Sequence, residues 1–87
     1  MSRSHYSDAA KRAAQRSLRE LSSGRCRAAL TWLTSSHRAL IQAQGASEPG
    51  RNVSEAECAV ALSDIAVRDR CLRPTPLPTP PRRKRRQ

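Results

Sequence analysis

Phenylalanine is absent from this chain, and its only aromatic residues of the Phe, Trp and Tyr kind are Trp32 and Tyr6. So thin an inventory excludes a bulky core. It also excludes the base-stacking platform of RNA-binding sheets, which needs several aromatics side by side. No apolar run approaches the ~20 residues of a membrane span. The stretch Met1-Ser2-Arg3-Ser4-His5-Tyr6 lacks the apolar centre of a secretory signal. An intracellular protein is expected, cytoplasmic or nucleoid-associated, and nuclear in a eukaryotic host. With 87 residues there is room for one small domain and not two. Acidic side chains are scarce too: 7 Asp and Glu stand against 17 Lys and Arg.

Cysteine occurs in an odd number, three, with no C-x-x-C. In a chain read as intracellular, this favours reduced, partly buried thiols over a disulfide framework. Cys26, His37, Cys58 and Cys71 amount to four potential zinc ligands. Cys26 and His37 are 11 residues apart in one expected helix, about 16 Å along its axis. Cys58 and Cys71 are 13 apart, up to ~20 Å on the same rise. Neither pair can share an ion with ~2 Å ligand bonds, so no metal is expected. The same distance forbids a Cys58–Cys71 disulfide while that helix holds. His37 reads as a half-buried interface histidine. The chain has no phosphate loop, nucleophile elbow or paired carboxylates. Neither an enzyme nor a cofactor is expected.

What is abundant is arginine. Of the 17 basic residues, 15 are Arg and the others are Lys11 and Lys84, giving a formal net charge of +10. Arg grips phosphate bidentately and stacks on bases, which Lys cannot do. Charge of this size and kind points to nucleic acid, DNA or RNA. It is unevenly placed: residues 1–44 carry +6, residues 45–73 carry −1 and residues 74–87 carry +5. Two basic regions around a near-neutral one suit a binding surface better than uniform solubilisation.

Residues 7–22 read as a first helix, with Ser7 as N-cap and Asp8 at the positive end of the dipole. Tyr6, Ala10, Ala13, Ala14, Leu18 and Leu21 recur on one side. At ~100° per residue, Arg12, Arg16 and Arg19 gather on the other, with Lys11 and Arg27 nearby. Gly24 is placed to end the helix as its C′ residue. Residues 25–44 read as a second helix with two apolar stripes. One holds Cys26, Leu30, Leu33, Leu40 and Ile41; the other holds Ala28, Trp32, Ala39 and Ala43. Two stripes call for two neighbours, so this helix is expected at the centre, in an antiparallel hairpin with the first. A helix-turn-helix reader wants a small residue four places before its turn glycine; here Glu20 stands there, which argues against that motif.

Residues 45–53, with two glycines and a proline, read as a loop. Ser54-Glu55-Ala56-Glu57 has the capping-box pattern, so a third helix is expected over about 55–70. Its buried stripe is read as Cys58, Ala61, Leu62 and Ile65, with Val60 and Val67 on the exposed side. Residues 73–81 hold five of the six prolines and read as an extended spacer. Arg82, Arg83, Lys84, Arg85 and Arg86 follow, a run whose self-repulsion keeps it disordered until neutralised. It suits a nucleic-acid arm that releases counterions on binding. With Pro81 ahead of it, it also resembles a single-cluster nuclear-import signal.

The expectation is an all-α fold: a flexible 1–6, a helical domain over 7–72 and a Pro-rich basic tail over 73–87. The expected function is backbone contact with nucleic acid through Lys11, Arg12, Arg16, Arg19, Arg27 and the basic arm. The alternative is a small adaptor or inhibitor, viral or phage-encoded. It would bind a protein through Trp32, Ala39 and Ala43, with the tail for localisation. Trp32, or Val60 and Val67, would serve self-association. No membrane partner is expected. On this reading Trp32→Ala separates the two functions, abolishing protein binding and sparing phosphate contacts.

Overall fold

The computed structural model describes residues 5–72. Residues 1–4 and the spacer and basic run at 73–87 lie outside the described residues. Three helices, α1 (His5–Ser22), α2 (Cys26–Gly45) and α3 (Gly50–Cys71), each touch the other two, so the fold is all-α, a helical hairpin plus a third helix. Short links make α1 antiparallel to α2 and α2 antiparallel to α3, which leaves α1 and α3 parallel. No helix is long and apolar enough, among the described residues, to cross a membrane.

The link between α1 and α2 is a Schellman motif. Gly24 has a φ of +79°. Its N–H donates to the Leu21 carbonyl at 2.9 Å, and the Arg25 N–H reaches back to the Glu20 carbonyl at 2.9 Å. Gly24 is thus the C′ residue that the sequence suggests. A side chain there meets open space, so the cost of adding one is backbone strain alone. Gly24→Ala is expected to lose ~1–2 kcal/mol, a drop of roughly 4–8 °C in Tm per kcal/mol for a domain of this size. Gly24→Asn should lose less. Thermal melts of the two variants check this; an unchanged Gly24→Ala melt would count against the motif.

Small residues at coiled-coil spacing form the core. Ser7, Ala10, Ala14, Ser17 and Leu21 are buried on α1, Ala29, Leu33, Ser36 and Ala43 on α2, and Ala56, Val60, Ser63 and Val67 on α3. Steps dominated by three and four residues keep one seam of each helix facing its neighbours. Near the α2–α3 link the core is Ala10, Ala14, Ala39, Ala56 and Val60. At the other end it is Leu21, Ala29, Leu33 and Val67. Buried serines need partners for their hydroxyls. Ser17 Oγ donates to the Ala29 carbonyl at 2.7 Å and ties α1 to α2, while Ser36 Oγ donates to the Leu33 carbonyl at 2.6 Å. Ser63 Oγ has no partner among the described residues.

The structure departs from expectation most in α3. The helix begins at Gly50 with Pro49 as N-cap, and Val53 N–H donates to the Pro49 carbonyl at 3.0 Å. The expected loop contracts to residues 46–49, and Ser54 lies inside the helix instead of capping it. Pro49 has no N–H to leave unpaired, and its ψ of 131° redirects the chain. The helix can therefore start at once. Its face is also rotated: Val60 and Val67 are 1% and 0% exposed, whereas Leu62 and Ile65 are each 65% exposed. Both sets recur at steps of three and four, so periodicity alone does not choose between them. Polar pairs flank the face that is buried. Lys11 Nζ meets Glu55 Oε1 at 3.2 Å on the α1 side. On the α2 side Gln44 donates to Glu57 at 2.9 Å, and His37 Nε2 lies 3.5 Å from Asp64 Oδ1. The narrow Val face sits between these pairs. His37 itself is exposed, not half-buried.

Cys26 and Cys71 form a disulfide, with Cα atoms 5.5 Å apart. The expectation of three reduced thiols fails here, because the start of α2 and the end of α3 meet when two antiparallel helices of 20 and 22 residues pack along their full length. Cys58 is the remaining thiol and is exposed.

α1 begins at His5, two residues ahead of the expected start. Ser7 is fully buried in its first turn and is not the cap. Glu48, from the α2–α3 link, takes that role: Oε2 accepts the Tyr6 N–H at 2.8 Å, and Oε1 accepts the Ser7 N–H at 2.9 Å and the Ser7 hydroxyl at 2.7 Å. A carboxylate is the charge that the positive end of a helix favours. Burial pushes the Glu48 carboxyl up, but the Ser7 hydroxyl and the two N–H groups together outweigh it and hold it below its ordinary 4.5. Asp64 is held down as well, first by its hydrogen bond from Arg68, against burial, with a smaller push from His37. A carboxyl that binds its proton less readily when folded stabilises the fold above its ordinary range and loses that contribution as pH falls through it. Melting temperature is expected to fall as pH drops below about 4.5. Glu48→Gln should melt a few degrees lower near neutrality and lose less on acidification. Identical pH profiles for variant and wild type would refute this role.

Candidate nucleic-acid interface

Arg12, Arg16 and Arg19 face one side of α1 because they step by four and three residues along it. The hairpin sets α2 beside them. Residues at equal distance from the turn then come level, and Arg16 and Trp32 are each eight residues from Gly24. The result is an open groove of about 540 Å³ between α1 and α2. Ala9 and Ala13 line it with small side chains, and Arg12, Arg16, Arg19 and Gln15 contribute its polar side chains. Trp32 lines it from α2 and is 37% exposed.

Arg16 is held from two directions. Its Nε donates to Glu20 Oε2 at 2.9 Å, and its guanidinium carbon stands 5.4 Å from the centre of the Trp32 ring, within cation–π range. Glu20 also accepts from Arg25 Nη1 at 2.9 Å. The Arg25 bond, then the Arg16 bond, hold the Glu20 carboxyl below its ordinary value against the opposing effect of burial. Glu20 therefore remains an anion that fixes Arg16 beside the indole. Arg12 and Arg19 are exposed, and neither has an ion-pair partner among the described residues.

Other expected site residues fall elsewhere. Lys11 turns to α3, 3.2 Å from Glu55 and 3.9 Å from Asp8, and leaves the arginine face. Arg27 is exposed but does not line the groove. Arg82, Arg83, Lys84, Arg85 and Arg86 lie outside the described residues. Of the expected protein-binding set, Trp32 alone is on the surface: Ala39, Ala43, Val60 and Val67 are 9%, 0%, 1% and 0% exposed and belong to the core. They are the small side chains that let the helices approach closely.

The expectation kept Trp32 and the arginines apart, as rival surfaces. They form one groove, so Trp32→Ala no longer separates a protein-binding role from phosphate contact. Helical spacing pairs Glu20 with Arg16 as a competitor for its charge, and the structure shows that pair, whereas Glu48 was not anticipated. The signal for the first was present, since Glu20 stands four residues after Arg16. Glu48 gives no such signal, because its contacts to Tyr6 and Ser7 cross 42 and 41 residues of chain.

Compared with known proteins, the chain matches no family model, no curated protein and no solved structure.

Proposed function

We propose that this chain is a nucleic-acid-binding protein that grips the phosphate backbone through the α1 arginines. One observation carries the reading: Arg12, Arg16 and Arg19 line a single groove, with Arg16 already oriented by Glu20 and Trp32. An oriented guanidinium loses less side-chain freedom on binding than a free one. None of the groove's lining residues is a nucleophile or an acid–base pair, which fits binding and not catalysis. The basic run at 82–86 adds five positive charges to the same chain. In this proposal it acts as an arm on the same strand.

A protein acting on nucleic acid works in the cytoplasm, nucleoid or nucleus. Disulfides persist in oxidising compartments and are rare in such reducing ones. The state of Cys26 and Cys71 in extracted protein therefore reports where the chain resides. Of the residues expected for an adaptor, Trp32 remains on the surface; Leu62 and Ile65, expected in the core, are exposed on the outer side of α3 and add an apolar patch. Partners that persist after nuclease treatment of a pull-down would favour the adaptor reading.

The direct test is affinity for a short oligonucleotide across a salt series. Backbone binding gives a log–log slope of about −0.7 per phosphate neutralised on a single strand and about −0.9 on a duplex. A flat slope sinks the proposal.

A further inference from the structure

The groove has a feature that phosphate binding alone does not use: an indole set among the cations. We infer that the ligand is single-stranded, with one unpaired base stacked on Trp32 and the flanking phosphates at Arg12 and Arg19. This rests on the nucleic-acid reading above and specifies its ligand.

Three observations lead there. The first is size. A groove of about 540 Å³ falls in the ~300–1,000 Å³ range of small-molecule sites. It suits a base and not the breadth of a duplex. The second is placement. A lone helix, ~10–12 Å across with its side chains, can enter a major groove ~12 Å wide. The α1 arginines are not on a lone helix. Trp32 of α2 stands beside them, and packed helix axes are ~8–10 Å apart, so the pair is too broad to enter. A duplex can be met only along its phosphates, and its bases stay beyond the indole's reach.

The third is arrangement along α1. Arg12 and Arg19 lie seven residues apart, ~10.5 Å along the helix, with Arg16 between them in sequence and Trp32 of α2 level with Arg16. The order is cation, ring with cation, cation. A strand laid along α1 offers the matching order of phosphate, base, phosphate. Sequence alone argued against a multi-aromatic platform, and that stands. A single indole among arginines handles one base, which stacks regardless of its identity because every base has a π-face.

The test uses the full chain and three ligands of equal length: an oligothymidylate, an abasic deoxyribose-phosphate strand and a duplex. Trp32 is the chain's one tryptophan, so its fluorescence reports the site directly. Thymidylate should quench Trp32 and bind about 5- to 150-fold tighter than the abasic strand, the range one stacked base supplies. Trp32→Leu should erase that preference, so that the variant binds thymidylate and abasic strand equally. Trp32→Phe should retain most of it, with circular dichroism confirming helix content in both variants. Equal affinity for thymidylate and abasic strand, or tighter binding to duplex, overturns the inference and leaves the phosphate reading standing. Failure of all three ligands to bind overturns both.

Discussion

Reduction of the Cys26–Cys71 disulfide is expected to cost this fold about 4 kcal/mol. The bond joins residues 45 positions apart, and in the chain-entropy treatment a loop of that length restricts the unfolded ensemble by ~13 cal/mol/K, or ~4 kcal/mol at 25 °C. The core that must compensate is made largely of Ala, Ser and Val, and small domains have little burial to spare. At roughly 4–8 °C per kcal/mol, Tm should fall by about 15–30 °C. Thermal melts with and without reductant measure it. Cys26→Ser with Cys71→Ser should reproduce the reduced curve and make it insensitive to reductant. Cys58→Ser should change little, because that thiol is exposed and unbonded. Equal melts in both redox states would mean that helix packing alone holds the fold.

Replacing Arg12, Arg16 and Arg19 together by Ala is expected to have the second largest effect, and on binding instead of folding. Arg16 is already engaged by Glu20, so with Arg12 and Arg19 each neutralising one phosphate of a single strand the salt slope becomes shallower by about 1.4. Affinity should then drop about 65-fold at 50 mM salt and about 10-fold at 200 mM, with little difference near 1 M. That convergence distinguishes lost phosphate contacts from a damaged fold, which weakens binding at every salt. Lys11→Ala is the internal control. Lys11 is engaged by Glu55 and Asp8, so its removal should leave the slope almost unchanged. A triple variant with the wild-type slope would remove the α1 groove from the binding surface.

The sequence carried the helix count, the first turn and the arginine face, because each rests on local chemistry. Gly24 announces a C′ position, and Arg12, Arg16 and Arg19 cluster through spacing alone. What it did not carry is rotation and closure. On α3, Val60 with Val67 and Leu62 with Ile65 are alternative seams of equal periodicity. Hydrophobicity favours the bulkier pair, whereas the close approach of three alanine- and serine-rich helices admits the narrower one. Spacing within a helix says nothing of the disulfide, because Cys26 and Cys71 lie on different helices and meet only once both links are short. Trp32 and the arginines stand on separate stripes for a related reason: helical periodicity describes one helix at a time, and the groove exists between two.

The two ends of the bundle are not equally closed. One has Leu21, Leu33 and Val67 beside the disulfide. The other is mainly alanine, with Glu48 as its clamp. Apolar burial scales with side-chain area, so local opening should begin at the alanine end. Amide exchange under native conditions is expected to show a gradient of protection. Amides around Ala10 and Ala56 should exchange through small, frequent openings, and those around Leu33 and Val67 only on global unfolding. Uniform protection along all three helices would show that the bundle opens as one unit. Arg12 lies toward the breathing end and Arg19 toward the closed one. A ligand spanning both would therefore slow exchange at Ala10 more than at Val67, and binding would be read out as rigidity at a place it does not touch.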